Sequence, residues 1–538
     1  MKRLRLLCAV LCLLLCCACA KPGSSQSSPQ NDNNTQADNI SAHLLYCSTD
    51  SIDPFKCITQ VNQELSYLLY DPLIKLNADF EAVYYIAASS VSENKVCTVT
   101  LNSVYHSDGS KLTAEDVVFS TTLAKGSDRF SQQLANVAAC VAINGTTVQF
   151  TLTENDPYFI NLLDYPIIKS GSNTLVNEDN IALPPIGCGR YVLDTATETL
   201  NFNTKYYKGK AAINAIRLVD APDAESVSQR IRSGKISAYY SDLGKNEIPN
   251  MNGKMADVPL NNLVYVGCNM KSGIFKNVYA RQAVSSAINR EAIVETAFYG
   301  NAKAATGPFH PNWEPAAKKQ NILTNANLNL AVENFERLGY NKDDEGYYLV
   351  SKNKRLSVSI LVNEDNLRRV NTANMIASQL AQIGIEVTVK AAPYESYMAA
   401  LQNGQFDLYV AEVRIMGNMD ISQLVTYGGS CAYGIAPTVT PDPVEAEKKN
   451  KDKDKDEDEE QAEQTVQPTH TLTAATAAAN YKKGSMSLGD LITVFNTEMP
   501  IIPICYRTGM LLYNDDYTTT PTPSISDPYY NFEKFATK

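Results

Sequence analysis

Tryptophan occurs once in these 538 residues, at position 313, and histidine only four times, at positions 43, 106, 310 and 470. So few and so scattered imidazoles argue against a multi-histidine metal site. None of the cysteine pairs beyond the N-terminal segment has the C-x-x-C spacing typical of structural zinc. The chain also lacks a G-x-S-x-G elbow, an H-E-x-x-H helix, a P-loop and a glycine-rich dinucleotide fingerprint, so we expect no enzyme, no metal and no cofactor. No apolar run approaches the roughly twenty residues that cross a bilayer. Basic residues are in deficit, 47 Lys and Arg against 58 Asp and Glu, which leaves no general basis for a nucleic-acid partner.

What is present is the composition of a globular protein, 44% hydrophobic and 20% charged. The N-terminus has a basic start (Lys2, Arg3, Arg5) and an apolar stretch from Leu6 to Leu15, the pattern of a secretory signal peptide over residues 1–18. Cys19 follows the small Ala18 and resembles a lipobox cysteine, although Cys16 and Cys17 stand where smaller or aliphatic residues are usual. It is the expected lipid-attachment residue, holding the protein to the outer side of a bacterial cell membrane. Residues 19–42, poor in apolar side chains, are expected to form a flexible tether. About five hundred residues then remain, too many for one core and natural for two lobes.

Much of the net charge of −11 is local. Asp442 to Glu463 holds eleven acids and five lysines, a net of −6, and we expect a solvated insertion at about 440–474. Eight cysteines remain beyond Cys19 (Cys47, Cys57, Cys97, Cys140, Cys188, Cys268, Cys431 and Cys505). Their pairing is open, since eight allow 105 connectivities, and several are expected as small buried hydrophobes.

Two segments carry local structure plainly. In Ser107 to Ser120 (SDGSKLTAEDVVFS), Asp108-Gly109 predicts a tight turn, and Thr113 with Asp116 predicts a reciprocally capped helix start. Between Leu356 and Val410 the pattern alternates. Leu356, Val358, Ile360 and Val362 have strand period, then Val370, Ala373, Ile376, Leu380 and Ile383 have helical period up to Gly384. Ile385, Val387 and Val389 form a second strand, Pro393 to Gly404 a second helix, and Phe406 to Val410 a third strand. This β-α-β-α-β order predicts a parallel sheet with ligands beyond the carboxyl ends of its strands. A single helix is expected over Tyr279 to Phe298, closed by Gly300.

The Asp108-Gly109…Leu112-Thr113-Ala114…Asp116-Val117 segment resembles the "DG-x-x-[LF]-T-A-x-D-V" signature of family 5 extracellular solute-binding proteins. Other segments resemble the same family in the same order: Leu69 to Ile74, Ile186 to Tyr191, Asp223 to Ala238, Tyr279 to Arg290 and Met499 to Ile504. Ser237 and Asn289 stand where the family usually has Asp. The resemblance implies a two-lobed α/β fold of the type II periplasmic binding proteins, with mixed sheets and a hinge. Residues 43–263 would form lobe I and 267–504 lobe II, with 505–538 returning to lobe I and hinge strands near Asn269 and Cys505. The implied activity is that of a monomeric substrate-binding lipoprotein, which captures peptides between the lobes for the permease subunits of an ABC importer. A nickel chelate or another small solute is the alternative ligand, and a surface sensor or adhesin the alternative role.

The resemblance also directs the search for ligand-binding residues to Asp407 to Leu424, where peptide receptors carry a carboxylate for the ligand's amino group. Asp420 is the first candidate and Arg414 the second, as a guanidinium for a carboxylate, with Glu412 beside it. If Asp420 instead matches a later acid of the family, the amine position falls on Gly417. Gly429 and Tyr433, in the glycine-rich loop that follows, would approach or stack on a ligand, and Ser48 and Asp50 resemble the family's cleft-lining start.

Overall fold

The computed structural model describes residues 40–244, 251–352, 354–437, 472–515 and 517–535. The expected signal peptide, Cys19, most of the tether and most of the charged insertion lie outside the described residues. The tether expectation is corrected at its edge: Ile40–Tyr46 is a strand whose backbone pairs in parallel with Ala215–Asp220. On the far side of the insertion, Thr473 caps the helix Ala474–Lys482.

Two groups of sheets build two lobes. In the first, Ile40–Tyr46, Ala215–Asp220, Thr199–Phe202 and Tyr191–Asp194 form one sheet in that order. Ala87–Glu93, Val96–Leu101, Thr147–Leu152 and Val137–Asn144 form an antiparallel sheet, with Val99, Val117, Phe150 and Leu163 in the core below it. The helix Ala114–Gly126 covers this sheet. Its start is as predicted, with the Thr113 amide donating to Asp116 at 2.8 Å, and Gly109 turns at φ +85°.

The second lobe is built on a larger sheet in the order Ala238–Ser241, Ile501–Tyr513, Lys254–Cys268, Leu408–Arg414, Ser357–Asn363 and Glu386–Ala392, with Ala302–Ala304 also on Ile501–Tyr513. The predicted parallel unit is here: Ser357–Asn363 lies between Glu386–Ala392 and Leu408–Arg414, parallel to both. Helices Leu367–Ala381 and Tyr394–Gln402 connect these strands, and Gly384 and Gly404 turn after them at φ +91° and +67°. The single helix expected over Tyr279 to Phe298 is two, Val278–Ala287 and Arg290–Ala297. Asn289 breaks it by capping the second helix through the Ala292 amide at 2.9 Å. The fully buried Arg290 guanidinium donates to the carbonyls of Ser285, Leu323 and Pro503.

Two strands run through both lobes. Val258, Leu260, Leu511 and Tyr513 pack in the core of the Ile40–Tyr46 sheet, whereas Leu263 to Val266 and Ile501 to Tyr506 pack in the second core. Their pairing slips register between Pro259 and Leu263, as a bulge does where a strand bends. The change of core therefore falls at Pro259–Leu263, earlier than Asn269. Asn269 is held within the second lobe by its side-chain bonds to the Gly404 and Phe406 carbonyls. The C-terminal segment packs on the first lobe through Tyr517, Tyr529, Phe532 and Phe535. All eight described cysteines are unpaired, six of them buried.

Candidate functional site: the interlobe seam

The lobes meet across a turn that the first lobe extends toward the second. Asn77 Oδ1 accepts from the amides of Asp79 and Glu81, both at 2.9 Å. This turn holds Phe80 at φ +62°, a costly conformation for a bulky side chain. Phe80 is nonetheless only 1% exposed, because its ring is buried in the second core, 4.6 Å from the His310 ring. Beside it, Asn312 donates to the Ala78 carbonyl at 3.0 Å, and Tyr158 meets Trp313 edge-on at 5.2 Å. Asn161 Nδ2 bridges the carbonyls of Phe80 and Gly417. At Gly417 a Cβ would come within 2.7 Å of the Asn161 carbonyl oxygen, so the close approach of the lobes requires glycine there.

A charged cluster lies where the long strands change lobes. Glu412 accepts from Arg507 Nε at 2.7 Å and from Asn262 at 2.8 Å, and Arg507 also donates to the Asp242 carbonyl at 2.5 Å. Arg414, two residues along, shares a face of its strand with Glu412. Arg414 is exposed, and among the described residues its guanidinium has no ion-pair partner. It lines a cavity of about 20 Å³ with Leu76, Phe80, Asp164, Asn261 and Gly417, room for about one water. Asp164 is engaged by Gln133 at 2.6 Å and Ser526 at 2.7 Å.

Arg368 was missed in the sequence. It sits in the first turn of Leu367–Ala381, beyond the carboxyl end of the central parallel strand. It is only 4% exposed, yet among the described residues none of its three guanidinium nitrogens has a hydrogen-bond partner. Burial, and then the like charge of Arg507, pull its pKa down, while Glu412 and Asp242 pull it up. A buried, unmatched guanidinium is expensive, and an anion is the group that relieves it. The signal was available: Asn366-Leu367 followed by two arginines, at the strand-to-helix turn where ligands of parallel sheets sit.

The other expected residues are dispersed. Asp420 lies at the seam, but it pairs with Lys482 at 2.9 Å and accepts from the Ser422 amide at 2.8 Å. Burial alone would raise its pKa. The Lys482 charge and the Ser422 hydrogen bonds outweigh burial and hold it below the ordinary carboxylate range. Lys482 reaches Glu154 of the first lobe at 3.2 Å, and Asn418 donates to Asp156 at 2.6 Å. Gly429 and Tyr433 line a groove of about 290 Å³ made by second-lobe residues alone, among them Lys271, Leu401 and Tyr427. A Cβ at Gly429 would lie 2.6 Å from the Gln423 carbonyl oxygen, so loop packing accounts for that glycine. The Ser48 amide bonds Asp220 at 2.9 Å. Asp50 accepts from the Thr59 amide at 2.8 Å and hydroxyl at 2.6 Å, at the start of helix Gln60–Leu69. The structure thus brings Glu412 and Arg414 together at the crossing, with Asp420 on the seam and the rest elsewhere.

Two α/β lobes joined by through-running strands define the two-lobed solute-binding fold. The chain belongs to the bacterial extracellular solute-binding proteins, family 5, whose middle region matches residues 81–434. It is 24% identical over 425 residues to the oligopeptide-binding protein AppA of Bacillus subtilis, covering 73% of this chain and 77% of that protein. To the glutathione-binding protein GsiB of Salmonella paratyphi A it is 25% identical over 282 residues, 49% of this chain and 54% of that one, so it spans about half of that relative. Among solved structures, it superposes on the unliganded open form of the periplasmic murein tripeptide-binding protein MppA with a TM-score of 0.67. That match has 18% identity and covers 92% of this chain and 97% of the other. The nickel ABC transporter structure from Bacillus halodurans gives the same TM-score and identity, with 92% and 99% covered.

Proposed function

We propose that this protein captures peptides between its lobes, holding the ligand's carboxylate on Arg368 and Arg414, and delivers them to the permease subunits of an ABC importer. The observation that carries the reading is Arg368, a buried guanidinium with three unpartnered nitrogens beside the lobe crossing. The oligopeptide-binding relative supports the choice of ligand. Glu412 acts by fixing Arg507 across the hinge, and Asp420 by joining Lys482 at the rim of the cleft. A metal chelate bearing carboxylates would meet the same arginines and is the second reading, favoured by the nickel transporter likeness. The protein acts outside the cytoplasm as a monomer, anchored through a diacylated Cys19. Radiolabelled palmitate incorporation that is lost in Cys19→Ala checks the anchor.

The ligand is tested by calorimetric titration of peptide pools and of nickel with histidine. Charge-assisted hydrogen bonds contribute about 1.5–3 kcal/mol each, so Arg368→Ala should weaken peptide binding by about 10- to 100-fold. Full-affinity peptide binding by Arg368→Ala would refute the assignment, and binding of nickel chelates alone would favour the second reading.

A further inference from the structure

The charge gathered at the lobe crossing has a net positive sign. Around the lobe crossing stand three guanidinium groups, Arg368, Arg414 and Arg507, and two carboxylates, Glu412 and Asp242, whose fields reach Arg368. Glu412 is taken by Arg507, and Asp242 accepts from the Gly244 amide at 2.8 Å. One cationic charge is left over, and among the described residues the Arg368 guanidinium has no hydrogen-bond partner and Arg414 no ion-pair partner.

Among the described residues, four carboxylates along the outer seam are already engaged by the protein. Asp420 is held by Lys482, and Glu154 shares the same ammonium. Asp156 accepts from Asn418 and Asp164 from Gln133 and Ser526. Lys482 therefore sits where a ligand's amino group would have to sit in order to use Asp420. At Gly417 the chain has no side chain at all, and the Asn161 carbonyl leaves no room for one.

We infer that this cleft selects its ligand by an anionic end and does not read a free amino terminus, so that its preferred solutes are peptide-like carboxylates whose amino end is acylated or absent. This inference rests on the peptide reading above and narrows it. Binding a free ammonium beside Arg368 and Arg414 is opposed by the net positive charge of the crossing, three guanidinium groups against two carboxylates. An acyl cap removes that repulsion while leaving the carboxylate free to bond the guanidinium groups.

The test uses the full chain and a randomised tripeptide pool in four forms: free, N-acetylated, C-amidated, and blocked at both ends. Retained peptides are quantified by mass spectrometry after equilibrium dialysis. The N-acetylated pool should bind at least as well as the free pool, and C-amidation should reduce retention tenfold or more. A tenfold preference for the free over the acetylated pool would overturn this inference and leave the peptide reading intact, as would C-amidated peptides binding as well as free ones. Silence from all four forms would overturn the peptide reading and this inference with it. Lys482→Met releases Asp420 and should shift the free-to-acetylated ratio about fivefold toward the free pool. Because the ratio is taken within one variant, a general loss of closure cancels. An unchanged ratio would overturn Lys482 as the group that excludes the amine.

Discussion

Trp313 is 2% exposed and touches Tyr158 across the seam and Phe309 within its own lobe. As the only tryptophan, it is an intrinsic reporter of lobe contact. Tyr158→Ala should shift its emission to the red, as water replaces the ring, and saturating ligand should change the emission of the unaltered protein; a flat titration would separate binding from seam movement. Asp156 bears on pH. Burial, above all, raises its pKa, against the Asn418 hydrogen bond. A carboxyl with a raised folded pKa contributes most at low pH, and that contribution is lost as pH rises through the raised value. Asp156→Asn should therefore raise the melting temperature at pH 7, and the gain should fade below about pH 4, where both side chains are neutral. Calorimetry at both pH values checks the sign. At this scale the sequence was only partly legible. Among the described residues Arg414 has no ion-pair partner, whereas the pairing of Asp420 with Lys482 brings together residues 62 positions apart, which no local pattern encodes.

At the scale of elements, local chemistry was a good guide wherever one short segment contained both the signal and its partner. The turn at Gly109, the cap at Thr113 and the strand and helix periods from Leu356 to Val410 are of this kind. The break at Asn289 was not legible as a break, because apolar spacing continues across it. The cap at Asn289 goes with the burial of Arg290, whose distant partners include Leu323 and Pro503. The C-terminal segment depends on a buried ionic knot in which Asp527 joins Lys75 and Arg190, both at 2.8 Å, while Glu533 joins Arg190 at 2.7 Å. Asp527→Ala leaves two buried cations short of a partner and should cost about 3–5 kcal/mol, measurable as a lower midpoint in urea. A loss under 1 kcal/mol would mean that the aromatic cluster of Tyr517, Tyr529, Phe532 and Phe535 holds the segment alone.

For the whole molecule, the bulged pair Lys254–Cys268 and Ile501–Tyr513 is where relative motion of the lobes would concentrate, since each half is anchored in a different core. Phe80 opposes opening by burying its ring in the second lobe. Phe80→Ala removes that contact, a change typically worth about 3–5 kcal/mol in a core, and should enlarge the radius of gyration of ligand-free protein in small-angle scattering. An unchanged radius would show that the polar bridges of Asn161, Asn312 and Asn418 hold the seam without it. Periodicity, caps and the ordered family segments by themselves determined the two-lobed α/β class and the parallel unit, because those signals act between near neighbours in the chain. Which guanidinium stays unmatched, which carboxylate is neutralised and which aromatic closes the seam were decided only by tertiary structure. Each depends on groups brought together from distant segments, and a buried charge or ring is defined by what surrounds it.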